Sequence, residues 1–177
     1  LRDVSASVSA KFPAVQELNA EFSVVSPKHV LIRRAWARLQ GGRIEATGSF
    51  DLVDGEWARP RLQVRFSEVM QDEMVVKLLP KEVQKAISIS GIRDAQAAGT
   101  VSVHERQFEV GVRVNAPSAS VPDLPFTFDD VVAEVRWVSG SKQVVFDHFR
   151  ARMGGSPVDG DGRVRFSDND VAADFQI

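Results

Sequence analysis

The feature that most constrains the fold is a passage that occurs twice, about 113 residues apart, from Ala20 to Ala133. The first copy reads Ala20-Glu21, Val25-Ser26-Pro27-Lys28, Val30, Ala37-Arg38-Leu39, Gly41-Gly42 and Gly48. The second reads Ala133-Glu134, Val138-Ser139-Gly140-Ser141-Lys142, Val144, Ala151-Arg152-Met153-Gly154-Gly155 and Gly162. One residue is gained between Ser26-Pro27-Lys28 and Ser139-Gly140-Ser141-Lys142, where Pro and Gly mark a turn. A turn tolerates an insertion, whereas one inside a strand moves every later side chain to the other face. A repeat whose gap falls in a turn is a structural unit used more than once, which points to an array or an extended sheet. Such architectures present surfaces and grooves more often than single catalytic centres.

Alternation of period 2 runs through most of the chain. Val4, Ala6, Val8 and Ala10 alternate with serines, and Leu62, Val64 and Phe66 with Arg61, Gln63 and Arg65. Phe108, Val110, Val112 and Val114 alternate with Glu109, Gly111 and Arg113, and Val171, Ala173, Phe175 and Ile177 with Asp170, Ala172, Asp174 and Gln176. Strands with one apolar and one polar face belong to antiparallel sheets wetted on one side. The pattern predicts about ten strands, near 2–10, 18–26, 29–39, 43–53, 58–67, 97–104, 107–115, 130–138, 143–153 and 162–167, with a last one from 170. Short joins, such as Asp54-Gly55, Ser139-Gly140-Ser141 and Ser167-Asp168-Asn169-Asp170, make the expected order a meander.

One segment departs from this period. Between Gln71 and Ser88, Met74, Val75, Leu78, Leu79, Val83, Ala86 and Ile87 recur at helical spacing. Pro80 predicts a kink there, or a second helix starting at its first position, and Gly91 ends the helical stretch. Residues 115–127 read as a proline-punctuated link into the second copy. The expected fold is therefore mainly β: an extended, curled antiparallel sheet, groove-like or taco-like, built from repeats with one short kinked helical segment. The repeat copies are placed at 12–50 and 124–166 with the helical insert 71–88 between them, in a single β-rich unit over residues 1–177.

Several function classes find no support. The formal net charge is −2 over 177 residues, with acidic and basic residues interleaved, so no nucleic-acid footprint is expected. With no cysteine there are no disulfides, thiolate metal sites or cysteine nucleophiles. His29, His104 and His148 are scattered singly, and no nucleophile elbow, phosphate loop or dinucleotide fingerprint occurs. Asp159-Gly160-Asp161-Gly162 and Asp168-Asn169-Asp170 lack the ligand spacing and terminal Glu of a calcium hand and read as hairpin turns. No catalytic residue, metal or cofactor is expected. No stretch approaches the roughly 20 apolar residues that span a bilayer. The chain starts without Met and stops inside an alternating pattern, so it is expected to be a piece of a longer protein.

The combination resembles the AsmA-like family of bacterial envelope proteins. The resemblance is carried by Leu79-Pro80-Lys81-Glu82-Val83 followed by Gly99-Thr100-Val101, by Leu124-Pro125 with Ala133-Glu134-Val135, and by Phe149-Arg150-Ala151-Arg152-Met153-Gly154-Gly155 with Gly160-Asp161-Gly162. It implies a periplasmic, curled β-sheet whose apolar face shields lipid chains during bridge-like lipid transport or outer-membrane biogenesis. Partners would be a lipid or other apolar chain and neighbouring segments of the parent protein, with any membrane contact made through regions elsewhere in it.

The candidate groove residues are Leu62, Val64, Phe66, Val110, Val112, Phe149 and Met153. Ten strands about 4.8 Å apart give a sheet near 48 Å long, which a straight 18-residue helix of roughly 27 Å cannot cover. The helix around Leu78-Leu79-Pro80 either caps one sheet face or gates such a groove. The alternative reading is a closed β-sandwich serving interaction or adhesion. A carbohydrate platform would require Trp36, Trp57 and Trp137 to share one surface.

Overall fold

Alternating apolar and polar side chains give each strand one face to bury and one to wet, and short turns pair each strand with the next. A computed structural model realises this arrangement and describes residues 15–39, 41–54, 56–71, 76–77, 81–120, 125, 127–166 and 171–176. Its strands are β1 (Val15–Ser26), β2 (His29–Leu39), β3 (Gly42–Val53), β4 (Glu56–Met70), β5 (Ile92–Arg93), β6 (Gln96–His104), β7 (Gln107–Ala119), β8 (Phe128–Val138), β9 (Gln143–Met153), β10 (Ser156–Phe166) and β11 (Val171–Gln176). A helix, α1 (Lys81–Ser90), interrupts them. Ten strands hydrogen-bond in the order β1-β2-β3-β4-β6-β7-β8-β9-β10-β11, and β5 pairs with the far end of β7. Every pairing is antiparallel, each strand joins the next in sequence except around β5, and among the described residues no pairing links β1 to β11, so the sheet is open. The fold is the mainly β, curled sheet the alternation implies.

The expected strand over 2–10 and the kink at Pro80 lie outside the described residues. Within them, strand ends shift by a few residues, β5 is an added short strand, and two differences change the reading. The proline-punctuated link is shorter, because β7 runs on to Ala119, held between Ile92 of β5 and Phe128 of β8. Pro117, which has no N–H to offer, stands opposite Asp130, where the ladder has a gap. In addition, Asp159-Gly160-Asp161-Gly162 is not a turn. It lies inside β10, and the hairpin is made by Gly154 and Gly155 at φ 57° and 85°. That geometry is the two-residue turn whose twist matches the flanking strands.

The sequence repeat is also a repeat of backbone geometry. Glu17 in β1 and Asp130 in β8, 113 residues apart, both adopt the left-handed conformation, at φ 52° and 51°. Each sits in a bulge, between Gln16 and Asn19 in one strand and between Asp129 and Val132 in the other. A second register shift falls at Glu21/Phe22 and at Glu134/Val135. A third falls where Ile32 and Ala35 face Gly48 and Ala46, and where Phe146 and Phe149 face Gly162 and Gly160. Even the hydrogen bond that closes each unit recurs: Leu52 N–H donates to the Lys28 carbonyl at 2.8 Å, and Phe166 N–H to the Lys142 carbonyl at 2.7 Å. Each bulge adds local twist and bends its strand. Placed at matching points, these bulges curl the sheet in both units.

The helical insert is tied at its base by Gln71, through both main chain and side chain. Gln71 N–H donates to the Ala95 carbonyl at 2.7 Å, and its amide bonds the Ile92 carbonyl at 3.2 Å and the Ala95 N–H at 3.4 Å. Gly91, at φ 57°, ends α1 in the left-handed conformation common at helix C-termini. Ile87 of the helix packs on a core formed by Val110, Ala133, Trp137, Val144, Phe146, Val164 and Phe166. The helix therefore covers the sheet around β9. A second cluster joins Ala95, Ala116, Ala119, Phe128, Val131 and Ala151, and a third joins Val30, Ile32 and Phe50 at the other end of the sheet.

Candidate functional site: an apolar face across the sheet

The pairing registers align the inward residues into rows that cross the sheet. In one row Ala46 pairs with Val64, Val64 with Val101, Val101 with Val110 and Val110 with Trp137. The next runs from Ile44 through Phe66, Gly99, Val112, Val135, Phe146 and Gly162 to Phe175. A third links Ala97, Val114, Ala133, Phe149 and Gly160. No charged side chain occupies any of these positions.

Burial along the rows is uneven. Near α1 the inward side chains are closed over, with Val144 at 0 % exposure and Ala133 at 1 %. In the middle of the sheet Ile44, Ala46, Leu62, Val64, Phe66, Ala97, Val101 and Val103 are all only half-buried. This is a strip of apolar surface three strands wide, or about 10 Å between its outer strands.

Leu62, Val64 and Phe66 lie in the middle of that strip on β4. Val112 borders it, half-buried, and Val110 belongs to the buried core. Phe149 stands farther along the same face, between the two clusters, with its ring edge-on to Phe128 at 5.4 Å between centroids. Met153 ends β9 beside Phe128 and Ser156 and is 37 % exposed, at the rim. The seven residues thus spread over one face of β4, β7 and β9, rather than converging on a point.

The sequence suggested Trp137 only for a carbohydrate platform, yet it is the largest side chain of the principal core. It is 7 % exposed, and its indole N–H has no hydrogen-bond partner among the described residues. Trp36 occupies the opposite face, opposite Glu45 in the β2–β3 ladder, with the Arg43 guanidinium 5.5 Å from its ring centre. Trp36 and Trp137 therefore share no surface, and the side chain of Trp57 lies outside those described. Their strands are not equivalent either. At the repeat spacing, Trp137 of β8 matches Val24 of β1, and Trp36 of β2 matches Arg150 of β9.

The outer face is an ion-pair lattice. Arg34 and Arg43 both reach Glu45, at 3.1 and 2.7 Å, and Arg150 reaches Asp159 at 2.9 Å. The Arg34 hydrogen bond, aided by the charge of Arg43, holds the Glu45 carboxyl below its usual range. Arg136 grips Asp147 through both Nε and Nη2, lowering the Asp147 pKa and raising its own. His29 Nδ1 lies 2.8 Å from Asp51, and that hydrogen bond lowers the Asp51 pKa.

Among the described residues no three acidic or histidine side chains converge on a metal site. A cleft of about 830 Å³ is lined by Ala58, Arg59, Pro60, His104, Glu105, Arg106 and Gln107. It sits at the β6–β7 turn, is mostly polar, and contains none of the seven candidates. No helix among the described residues is long and apolar enough to cross a membrane. No family model matches the chain, and neither the curated proteins nor the solved structures contain a match to it.

Proposed function

We propose that this chain is a non-enzymatic segment of an AsmA-like, periplasmic envelope protein. In this reading it shields lipid acyl chains along its inward face during lipid transport or outer-membrane biogenesis. The observation that carries the reading is the half-buried apolar strip over β3, β4 and β6, continuous with a core on which the described part of α1 packs around β9. A chain laid along such a strip gains about 0.8 kcal/mol per methylene removed from water, so contact with even part of an acyl tail is favourable. The mechanism is passive, requiring neither a catalytic group nor a cofactor. A closed sandwich would require a second sheet against the first, and the described strands form one.

Native mass spectrometry of freshly purified protein, followed by solvent extraction, tests this reading. Phospholipid bound at defined stoichiometry is expected, and Val64→Asp is expected to abolish it while circular dichroism still reports a folded sheet. Val112→Asp and Phe149→Asp extend the test toward the covered core. A protein that stays lipid-free after incubation with phospholipid vesicles would overturn the proposal.

A further inference from the structure

We infer that the outer edge of β1, from Glu21 to Val25, is an acceptor site for an antiparallel strand with the side-chain pattern of β7. Within the described residues β1 pairs only with β2. Its counterpart in the second unit, β8, is paired on both sides, by β9 and by β7. Because the bulges of β1 and β8 fall at matching residues, the β7–β8 ladder is a template for what fits the β1 edge. That ladder sets Val112 opposite Val135, Val110 opposite Trp137 and Arg113 opposite Glu134. Carried over by 113 residues, the same positions on β1 are Phe22, Val24 and Glu21. The spacing persists upstream of β1 in the sequence, where Ser5-Ala6-Ser7-Val8 repeats Ser118-Ala119-Ser120-Val121.

Three observations identify the occupant. Val24 is 60 % exposed at a sheet edge, whereas Trp137, its counterpart, is 7 % exposed in the principal core; Val25, like its counterpart Val138, faces solvent. Glu21 keeps the carboxylate of Glu134, which is opposite Arg113 in the β7–β8 ladder, and among the described residues its ion-pair partner, Arg33, is 3.9 Å away. An edge strand also offers a row of unmet backbone donors and acceptors. The acceptor therefore suits a strand whose apolar residues fall opposite Phe22 and Val24 and whose arginine falls opposite Glu21. Recognition would be by strand addition, with main-chain bonds supplying affinity and alternate side chains supplying specificity. This inference is independent of lipid binding.

The test uses a capped, fluorescently labelled peptide of residues 107–115 with the 177-residue protein, in the absence of lipid. Saturable binding is expected. Arg113→Glu in the peptide should weaken it at least tenfold, and Glu21→Arg in the protein should restore that variant. Because the chain has no cysteine, Val25→Cys gives a unique thiol. It should form a disulfide with peptide carrying Glu109→Cys and not with peptide carrying Arg113→Cys. Absence of binding, binding indifferent to the charge exchange, or cross-linking in another register would overturn the inference. So would full amide protection from Glu21 to Val25 before any peptide is added.

Discussion

The unit β1–β3 and the unit β8–β10 share their bulges, their pairing registers and their closing hydrogen bonds, yet they are buried to very different extents. Ala133 is 1 % exposed and its counterpart Ala20 is half-buried; Trp137 is enclosed where Val24 stands in solvent. Polar pairs at matching places are conserved in position and exchanged in chemistry. Arg33 donates to Ser23 at 2.5 Å in one unit, and Arg136 in the Ser23 position binds Asp147 in the Arg33 position in the other. Backbone geometry is thus written locally, by residues within the repeat. Burial is conferred from outside it, by β7 on the flank of β8 and by α1 above β9.

The largest break in this comparison is expected from truncating the two matched side chains of the first strands. Trp137→Ala removes a large aromatic group from the principal core and should cost about 3–5 kcal/mol. Val24→Ala, at the equivalent position, should stay within about 0.5 kcal/mol because that side chain is already largely in water. Urea denaturation of both variants checks the contrast. Equal losses would mean that burial follows the repeat rather than its neighbours.

Much of the architecture was legible because the alternation is strong. Strands β2 and β9 follow their apolar patterns, and the helical spacing leads to α1. What alternation cannot reveal is a bulge, since an extra residue moves later side chains to the other face without changing composition. One matched pair of bulges is filled by Glu17 and Asp130, which look like ordinary polar positions of a strand. In β2 the shift between Ile32 and Ala35 likewise sends Trp36 to the face opposite Val30 and Ile32. Gly160 and Gly162 read as turn residues for a related reason: a glycine at a bulge and a glycine in a hairpin are indistinguishable until the register is known. The apolar face was legible as a property of strands. Its unequal burial was not, because that depends on where α1 lands.

A second contrast lies in the glycines shared by the third strands. Gly48 has φ 148°, and a Cβ there would run into the Arg61 carbonyl and the Leu62 Cα, both backbone atoms. At Gly162 the first obstacle is the ring of Phe175, which lies 5.5 Å from the Phe146 ring and folds over the glycine between them. Gly48→Ala combines backbone strain with overpacking and should cost about 3 kcal/mol. Gly162→Ala should cost about 1–3 kcal/mol, part of which Phe175→Ala should recover in the double variant, since a half-exposed ring can be removed and a neighbouring strand cannot. Denaturation of the two single variants and the double variant measures this. Failure of Phe175→Ala to relieve Gly162→Ala would assign the crowding to the Asp174 carbonyl instead.

The smallest expected effect distinguishes the units by pH. Arg136 lowers the Asp147 pKa by hydrogen bonding and charge, whereas the matching pair in the first unit, Ser23 with Arg33, has no carboxylate to protonate. A carboxyl whose folded pKa is depressed contributes stability that is complete above its unfolded value, near 4, and is lost as pH falls through the lowered folded value. Because the pair is largely solvated, its contribution should be below about 1 kcal/mol. Asp147→Asn should therefore lower stability slightly at pH 7 and hardly at all at pH 2.5, so that its denaturation midpoint converges on that of the parent in acid. Ser23→Ala has no carboxylate to titrate, and its deficit should be the same at both pH values. If the Asp147→Asn deficit persisted unchanged in acid, the bond to Arg136 would be acting through packing rather than charge, and the two units would be more alike than their chemistry suggests.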